Sequence, residues 1–141
     1  MDKLSLEEAI RISATAHEGQ VDKSGVTYLL HPLRVMLNCQ TNDERIVAIL
    51  HDVLEDTDLT EQYLKMIFPE RIVQAVVAIT KQDHETNQEY IKRCKKDPIA
   101  RNVKFADITD NLAPIRQANL DQHTQERLLK KYKKSLKWLL E

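Results

Sequence analysis

The stretch ILHDVLED, residues 49–56, places one imidazole and three carboxylates in an otherwise apolar run. On a helix turning about 100° per residue, His51, Asp52, Glu55 and Asp56 fall on one arc. Ile46, Ile49, Leu50, Val53 and Leu54 fall on the opposite arc. That pattern is an amphipathic helix packed into a helical fold. Its polar arc leaves two readings open, a solvated face or the wall of a cation site. Asp52, Glu55 and Asp56 repel one another within five residues, and a bound cation would relieve that repulsion.

The rest of the chain agrees with an all-α fold. It has 141 residues, enough for one domain over residues 1–141 with one core. Only 2 Gly and 4 Pro interrupt a sequence rich in helix formers. A formal net charge of -1 gives no general attraction to nucleic acid or anionic membrane. Cys39 and Cys94 fit no disulfide or zinc spacing and read as free thiols of a reducing cytoplasm. MDKLSLEEAI is too charged for a signal peptide, and no apolar run is long enough to span a bilayer. No repeat, low-complexity tract or linker is visible.

Local signals place about seven or more helices. Ser5 with Glu8, Thr41 with Glu44 and Thr86 with Glu89 form capping boxes. The first helix carries the stripe Leu6, Ala9, Ile12 and Ala16 and stops at Gly19. His17 sits in its last turn, where a cation suits the helix dipole. QVDKSGVTYLL reads as loop, with a turn at Ser24-Gly25. A second helix follows with Pro32 at its first position. A third runs from about Asn42 to Asp56. Thr60 opens a short helix ending near Phe68. PERIVQAVVAIT reads as a core helix, its β-branched residues leaving strand as the minor alternative. A helix opened by Asp97-Pro98 runs through Asn111, and Pro114 ends or kinks it. The last helix, from about Thr124, carries Leu128, Tyr132, Leu136 and Leu139 on one face. Its lysines read as solvated rather than as a membrane or nucleic-acid arm.

One helix cannot fully surround a metal, so further ligands are needed. His31, before Pro32, is one candidate, although a capping histidine explains it equally well. VKFADITDNLAP supplies others. Asp107 lies between Ala106 and Ile108, so it is a better candidate for burial than Asp110, and a buried Asp needs a partner or a cation.

Taken in order, LLHPLRV, ILHDVLEDT and VKFADITDN resemble the HD-domain phosphohydrolases. More narrowly, they resemble the (p)ppGpp hydrolase domain of the RelA/SpoT family and its single-domain relatives, the small alarmone hydrolases. AHEGQVDKSGVTYLLHP and VVAITK extend the resemblance, which covers about residues 9 to 140. It implies an HD-domain helical bundle. It also implies that His31, His51, Asp52 and Asp107 hold one Mn²⁺ ion, a mixed nitrogen and oxygen set suited to that metal. Glu55 and Asp56 would handle the attacking water, Glu55 as base and Asp56 as its partner, or the reverse. Lys23 and Ser24 fall on the nucleotide-binding loop and Asn111 on the base-contacting Asn. Tyr28 falls on the Tyr before the His-Pro pair, as ligand contact or packing. Arg127 and Tyr132 fall near residues that reach phosphates.

Three departures stand out. The family's guanine-stacking Arg is Asp22, its Pro before Tyr is Thr27, and the Arg after the metal Asp is Ile108. The implied activity is removal of the 3′-pyrophosphate of (p)ppGpp to give GDP or GTP, with no room for a synthetase domain. Asp22 keeps another nucleotide open, NADPH or a 3′-phosphorylated one. A non-catalytic nucleotide-binding module is the remaining alternative.

Overall fold

The computed structural model describes residues 5–141. The first four residues of the segment read as too charged for a leader lie outside the described residues. Ten helices follow in order among the described residues: α1 (Leu6–Ala16), α2 (Leu30–Leu37), α3 (Asn42–Leu50), α4 (Val53–Asp56), α5 (Glu61–Lys65), α6 (Glu70–Ala78), α7 (Asn87–Cys94), α8 (Pro98–Leu112), α9 (Pro114–Gln117) and α10 (Gln122–Leu140). The strand alternative for residues 72–79 is excluded, because α6 buries Ile72, Val73, Ala75 and Val76 as one helical face.

Helix α3 is the central element. Ile46, Val47, Ala48, Ile49 and Leu50 are all fully buried, so the helix is covered on every side there. It packs on α1, α2, α6 and α8, while α10 closes over α7 and α8. Burying a Leu or Ile side chain contributes roughly 1.5–3 kcal/mol, so this segment anchors the core. Cys39 and Cys94 are free and buried, and burial pushes their thiols up to about 11 and about 12. Among the described residues no helix is long and apolar enough to cross a membrane.

The caps behave as local chemistry dictates. Thr41/Glu44 and Thr86/Glu89 form reciprocal boxes. Ser5 accepts from Glu8 N at 3.0 Å, but the Glu8 carboxylate turns to Arg11 at 2.8 Å. Helix α2 begins at Leu30, two residues before the expected start. Pro32 is then its third residue, still among the N–H groups that have no helical acceptor.

One difference decides the site. The expected continuous helix from Asn42 to Asp56 is broken at His51 and Asp52. The His51 ring folds back on its own helix, with Nδ1 donating to Ala48 O at 2.6 Å. Asp52 adopts φ -108, ψ 2, outside the helical region. The break turns both side chains inward together, which a continuous helix would not do.

The segment between α1 and α2 is a built loop. Val21 and Thr27 form an isolated antiparallel bridge. The Asp22 carboxylate accepts from Ser24 N at 2.8 Å and Val26 N at 3.0 Å. Gly25 has φ 79, a conformation that favours glycine.

Candidate active site

Three elements bring the metal candidates together: α2 carries His31, the α3–α4 break carries His51 and Asp52, and α8 carries Asp107. His31 Nε2 lies 2.9 Å from Asp107 Oδ1. His51 Nε2 lies 3.1 Å from Asp52 Oδ2 and 3.3 Å from Asp107 Oδ1. The two imidazole centroids are 5.2 Å apart, edge to face. His51 Nε2 is buried and makes no hydrogen bond despite those neighbours. A buried, unpartnered ring nitrogen facing two carboxylates is what a divalent cation would satisfy, and the donor set fits one. His31, His51 and Asp52 each bring one ligand atom within 4.8 Å of the others, as do Asp52, Glu55 and Asp56.

The surrounding bonds orient these groups. His31 Nδ1 pairs with Asp110 Oδ2 at 2.6 Å, and Asp110 is held in turn by Arg34 at 2.8 Å. Asp110 is therefore as buried as Asp107, contrary to the sequence expectation that favoured Asp107. Its place on the inward face of α8 and its two partners explain the burial. Asp107 Oδ2 accepts from Lys104 Nζ at 2.9 Å, and Oδ1 from Asn111 Nδ2 at 3.1 Å. The Tyr28 hydroxyl donates to Asp52 Oδ2.

Electrostatics match this packing. Burial disfavours the His51 cation, but Asp52 and Asp107 outweigh it and hold the imidazole well above its ordinary range. Burial likewise raises the Asp52 carboxyl, yet His51 overrides it and holds it at about 2. Loading a cation would displace the His51 proton. Burial first, then Asp52 and Asp56, push the Glu55 carboxyl up. Burial and Asp52 do the same to Asp56.

Two adjoining cavities share Tyr28, Asp56, Asn111, Arg116 and Tyr132. The inner one, about 230 Å³, holds the His/Asp cluster, Glu55 and the cations Lys81, Lys104 and Lys131. The outer one, about 490 Å³, is walled by Asp22, Lys23, Ser24 and Leu128 among others. Arg127 is exposed on α10 and lines neither cavity, whereas Lys131, one turn later, lines the inner one.

No family model matches the chain. The guanosine-3′,5′-bis(diphosphate) 3′-pyrophosphohydrolase of Aquifex aeolicus is 31% identical over 122 residues, spanning 78% of this chain and 18% of that protein. The probable enzyme of the same name in Mycoplasma genitalium is 33% identical over 131 residues, with the same coverage. The chain thus spans about a fifth of the length of these curated relatives. The solved structure of a metazoan ortholog of SpoT, described as hydrolysing ppGpp, matches with a TM-score of 0.81 at 23% identity. It covers 99% of this chain and 88% of that one. Over about four fifths of its length the chain is therefore similar in sequence to one segment of (p)ppGpp 3′-pyrophosphohydrolases, and it shares the fold of the SpoT ortholog.

Several residues that shape the site were not singled out in the sequence. Arg34 and Lys104 lie inside the motifs LLHPLRV and VKFADITDN, yet periodicity alone reads them as surface cations. Arg116 follows Pro114 in what reads as a helix end. His17 closes α1 as expected but does more than that. It caps α1 and is buried, with Nδ1 2.9 Å from Gln20 Oε1 and its ring 5.0 Å from that of Tyr28. Gln20 Nε2 in turn donates to Asp56 O at 2.9 Å, so this histidine also braces the site.

Proposed function

We propose that this HD domain hydrolyses (p)ppGpp at its 3′ position, releasing pyrophosphate and leaving GDP or GTP, with one Mn²⁺ held by His31, His51, Asp52 and Asp107. The observation that carries this reading is the unpartnered His51 Nε2 at the convergence of two imidazoles and two carboxylates. The names of the sequence relatives support the substrate. A divalent cation held there lowers the pKa of an attacking water and neutralises developing phosphoryl charge. The water oxygen bonds to the phosphorus nearest the ribose. The bond from that phosphorus to the 3′ oxygen breaks, and the 3′ oxygen leaves with the proton that Glu55 has taken from the water. Glu55 accepts the water's proton, and Asp56 acts as its partner. Both carboxylates lie within 4.8 Å of an Asp52 ligand atom, close enough to act on a water beside the cluster. Lys81 and Lys131 line the inner cavity and would neutralise the cleaved pyrophosphate.

One observation favours a second reading. Asp22 lines the outer cavity, where the resemblance has a guanine-stacking Arg. An acidic group there suits a different base, so NADPH or a 3′-phosphorylated nucleotide is the alternative substrate. The test incubates metal-stripped protein, resupplied with Mn²⁺, with ppGpp, NADPH and adenosine 3′-phosphates, and identifies the released product. Pyrophosphate from ppGpp is the expected result. Orthophosphate from another nucleotide would move the assignment to the second reading. No turnover with any substrate or metal would leave a nucleotide-binding module.

A further inference from the structure

Arg116 lines both cavities where they meet. Its Nη1 is buried and makes no hydrogen bond. Among the described residues, no carboxylate forms an ion pair with it. Asp22 of the outer cavity and Asp56 of the shared wall are otherwise placed. Asp22 is engaged by its own loop through Ser24 N and Val26 N. Asp56 faces the Asp52 and Glu55 carboxylates. An arginine donor held out of water without a partner is costly, so it points to an anion that arrives with a ligand.

The backbone around Arg116 is tied to its neighbours, which fixes where the side chain starts. Ser24 Oγ donates to Arg116 O at 3.5 Å. Gln117 Nε2 donates to Asn111 O at 2.7 Å, tying α9 back to α8. Gln125 Nε2 donates to Gln117 O at 2.8 Å and Leu120 O at 2.9 Å, tying the connection to α10. The neighbouring cations add to the case. Burial, then repulsion from Lys104, Lys23 and Arg127, pulls the Lys131 ammonium below its ordinary range, as in a site waiting for negative charge.

We propose that Arg116 grips the substrate's uncleaved 5′-phosphates, and so selects nucleotides that are phosphorylated on both sides of the ribose. This rests on the hydrolase reading. With the scissile 3′ arm among the inner cations and the nucleoside in the outer cavity, the ribose lies at the junction. Only its other phosphate arm remains to meet the guanidinium, whose planar fork suits phosphate.

The test measures calorimetric binding of GDP, guanosine and inorganic pyrophosphate to the Mn²⁺-supplied protein, as wild type, Arg116→Ala and Arg116→Lys. Wild type should prefer GDP over guanosine by about 10- to 100-fold, the scale of hydrogen bonds to a charged group. Arg116→Ala should lose most of that preference and leave pyrophosphate affinity unchanged. Arg116→Lys should retain part of it, which also reports that the site is folded. Equal preference for GDP in wild type and Arg116→Ala would overturn the proposal. So would a loss confined to pyrophosphate, which would place Arg116 on the cleaved arm. Parallel ppGpp turnover by wild type judges the hydrolase reading separately. Failed turnover with an Arg116-dependent GDP preference would sink that reading and keep the 5′-phosphate grip.

Discussion

The inner and outer cavities share a wall but are built in opposite ways. The inner one is floored by α2, the α3–α4 break and α8, with α4, α7 and α10 adding to its walls, and its His/Asp cluster is mostly buried and multiply held. Asp107 alone receives His31, Asn111 and Lys104. The outer one is made by the loop before α2, by α9 and by one face of α10, and its shape comes from backbone staples such as the Asp22 carboxylate. The contrast separates two tasks. On the proposed reading, groups that hold a cation and a water within tenths of an ångström sit on rigid elements, while groups that read the nucleotide sit on connections that can differ without disturbing the chemistry. Substitutions on the inner wall should therefore change metal affinity and kcat, and those on the outer wall KM.

The largest effect should come from Asp52→Ala. It removes one ligand and leaves His51 Nε2 with Asp107 alone. Isothermal titration with Mn²⁺ should show lost high-affinity binding, and turnover should fall to background. Full activity in this variant would mean the site is elsewhere. Glu55→Gln should be next, and of a different kind. Mn²⁺ affinity should hold while kcat falls by about 10²–10⁴, the usual contribution of a positioned base. Comparison with Asp56→Asn assigns the base, because the larger loss in kcat marks the group that takes the proton.

Asp110→Asn probes the boundary between holding and reading. The substitution keeps the shape but removes the charge that orients His31 and engages Arg34. Loss of such an orienting partner typically lowers metal affinity by about 10–100-fold. KM for the nucleotide, measured at saturating Mn²⁺, should stay within a small factor of wild type. A variant with unchanged metal affinity but raised KM would place Asp110 on the reading side of the comparison.

What could be read in the sequence follows the same division. The capping boxes at Thr41 and Thr86 were legible because a cap is settled by residues three apart. The apolar stripe of α6 was legible because burial on one face leaves a period. The break at His51 was not, because an unbroken run of good helix formers carries no signal for it. The bond from His51 to Ala48 O and the neighbouring Asp107 are tertiary facts. Asp110 was read as the more exposed acid because nothing local shows that Arg34 and His31 come to meet it. Arg116 was missed because a cation after a helix-ending proline looks like surface. Its unpartnered nitrogen exists only once α8, α9 and the Ser24 loop converge.

The smallest expected effect, and the sharpest test of the outer wall, is at Asp22. From sequence, an acid in place of a base-stacking Arg predicts that Asp22→Arg improves use of ppGpp. The structure predicts otherwise. The Asp22 carboxylate holds Ser24 N and Val26 N, so Arg removes two loop hydrogen bonds, each contributing about 0.5–1.5 kcal/mol. Part of that loss should appear as disorder in a loop that presents Lys23 and Ser24 to the nucleotide. Asp22→Asn separates charge from staple, because its side-chain oxygen still accepts both N–H groups while the negative charge is gone. Asp22→Asn should therefore keep or modestly lower the KM for ppGpp, and Asp22→Arg should raise it several-fold with kcat unchanged. A lower KM in Asp22→Arg than in Asp22→Asn would show that stacking on the base outweighs the fold of the loop. The outer wall would then be tuned by side-chain chemistry, as the inner wall is, and the contrast between the two cavities would fail at this residue.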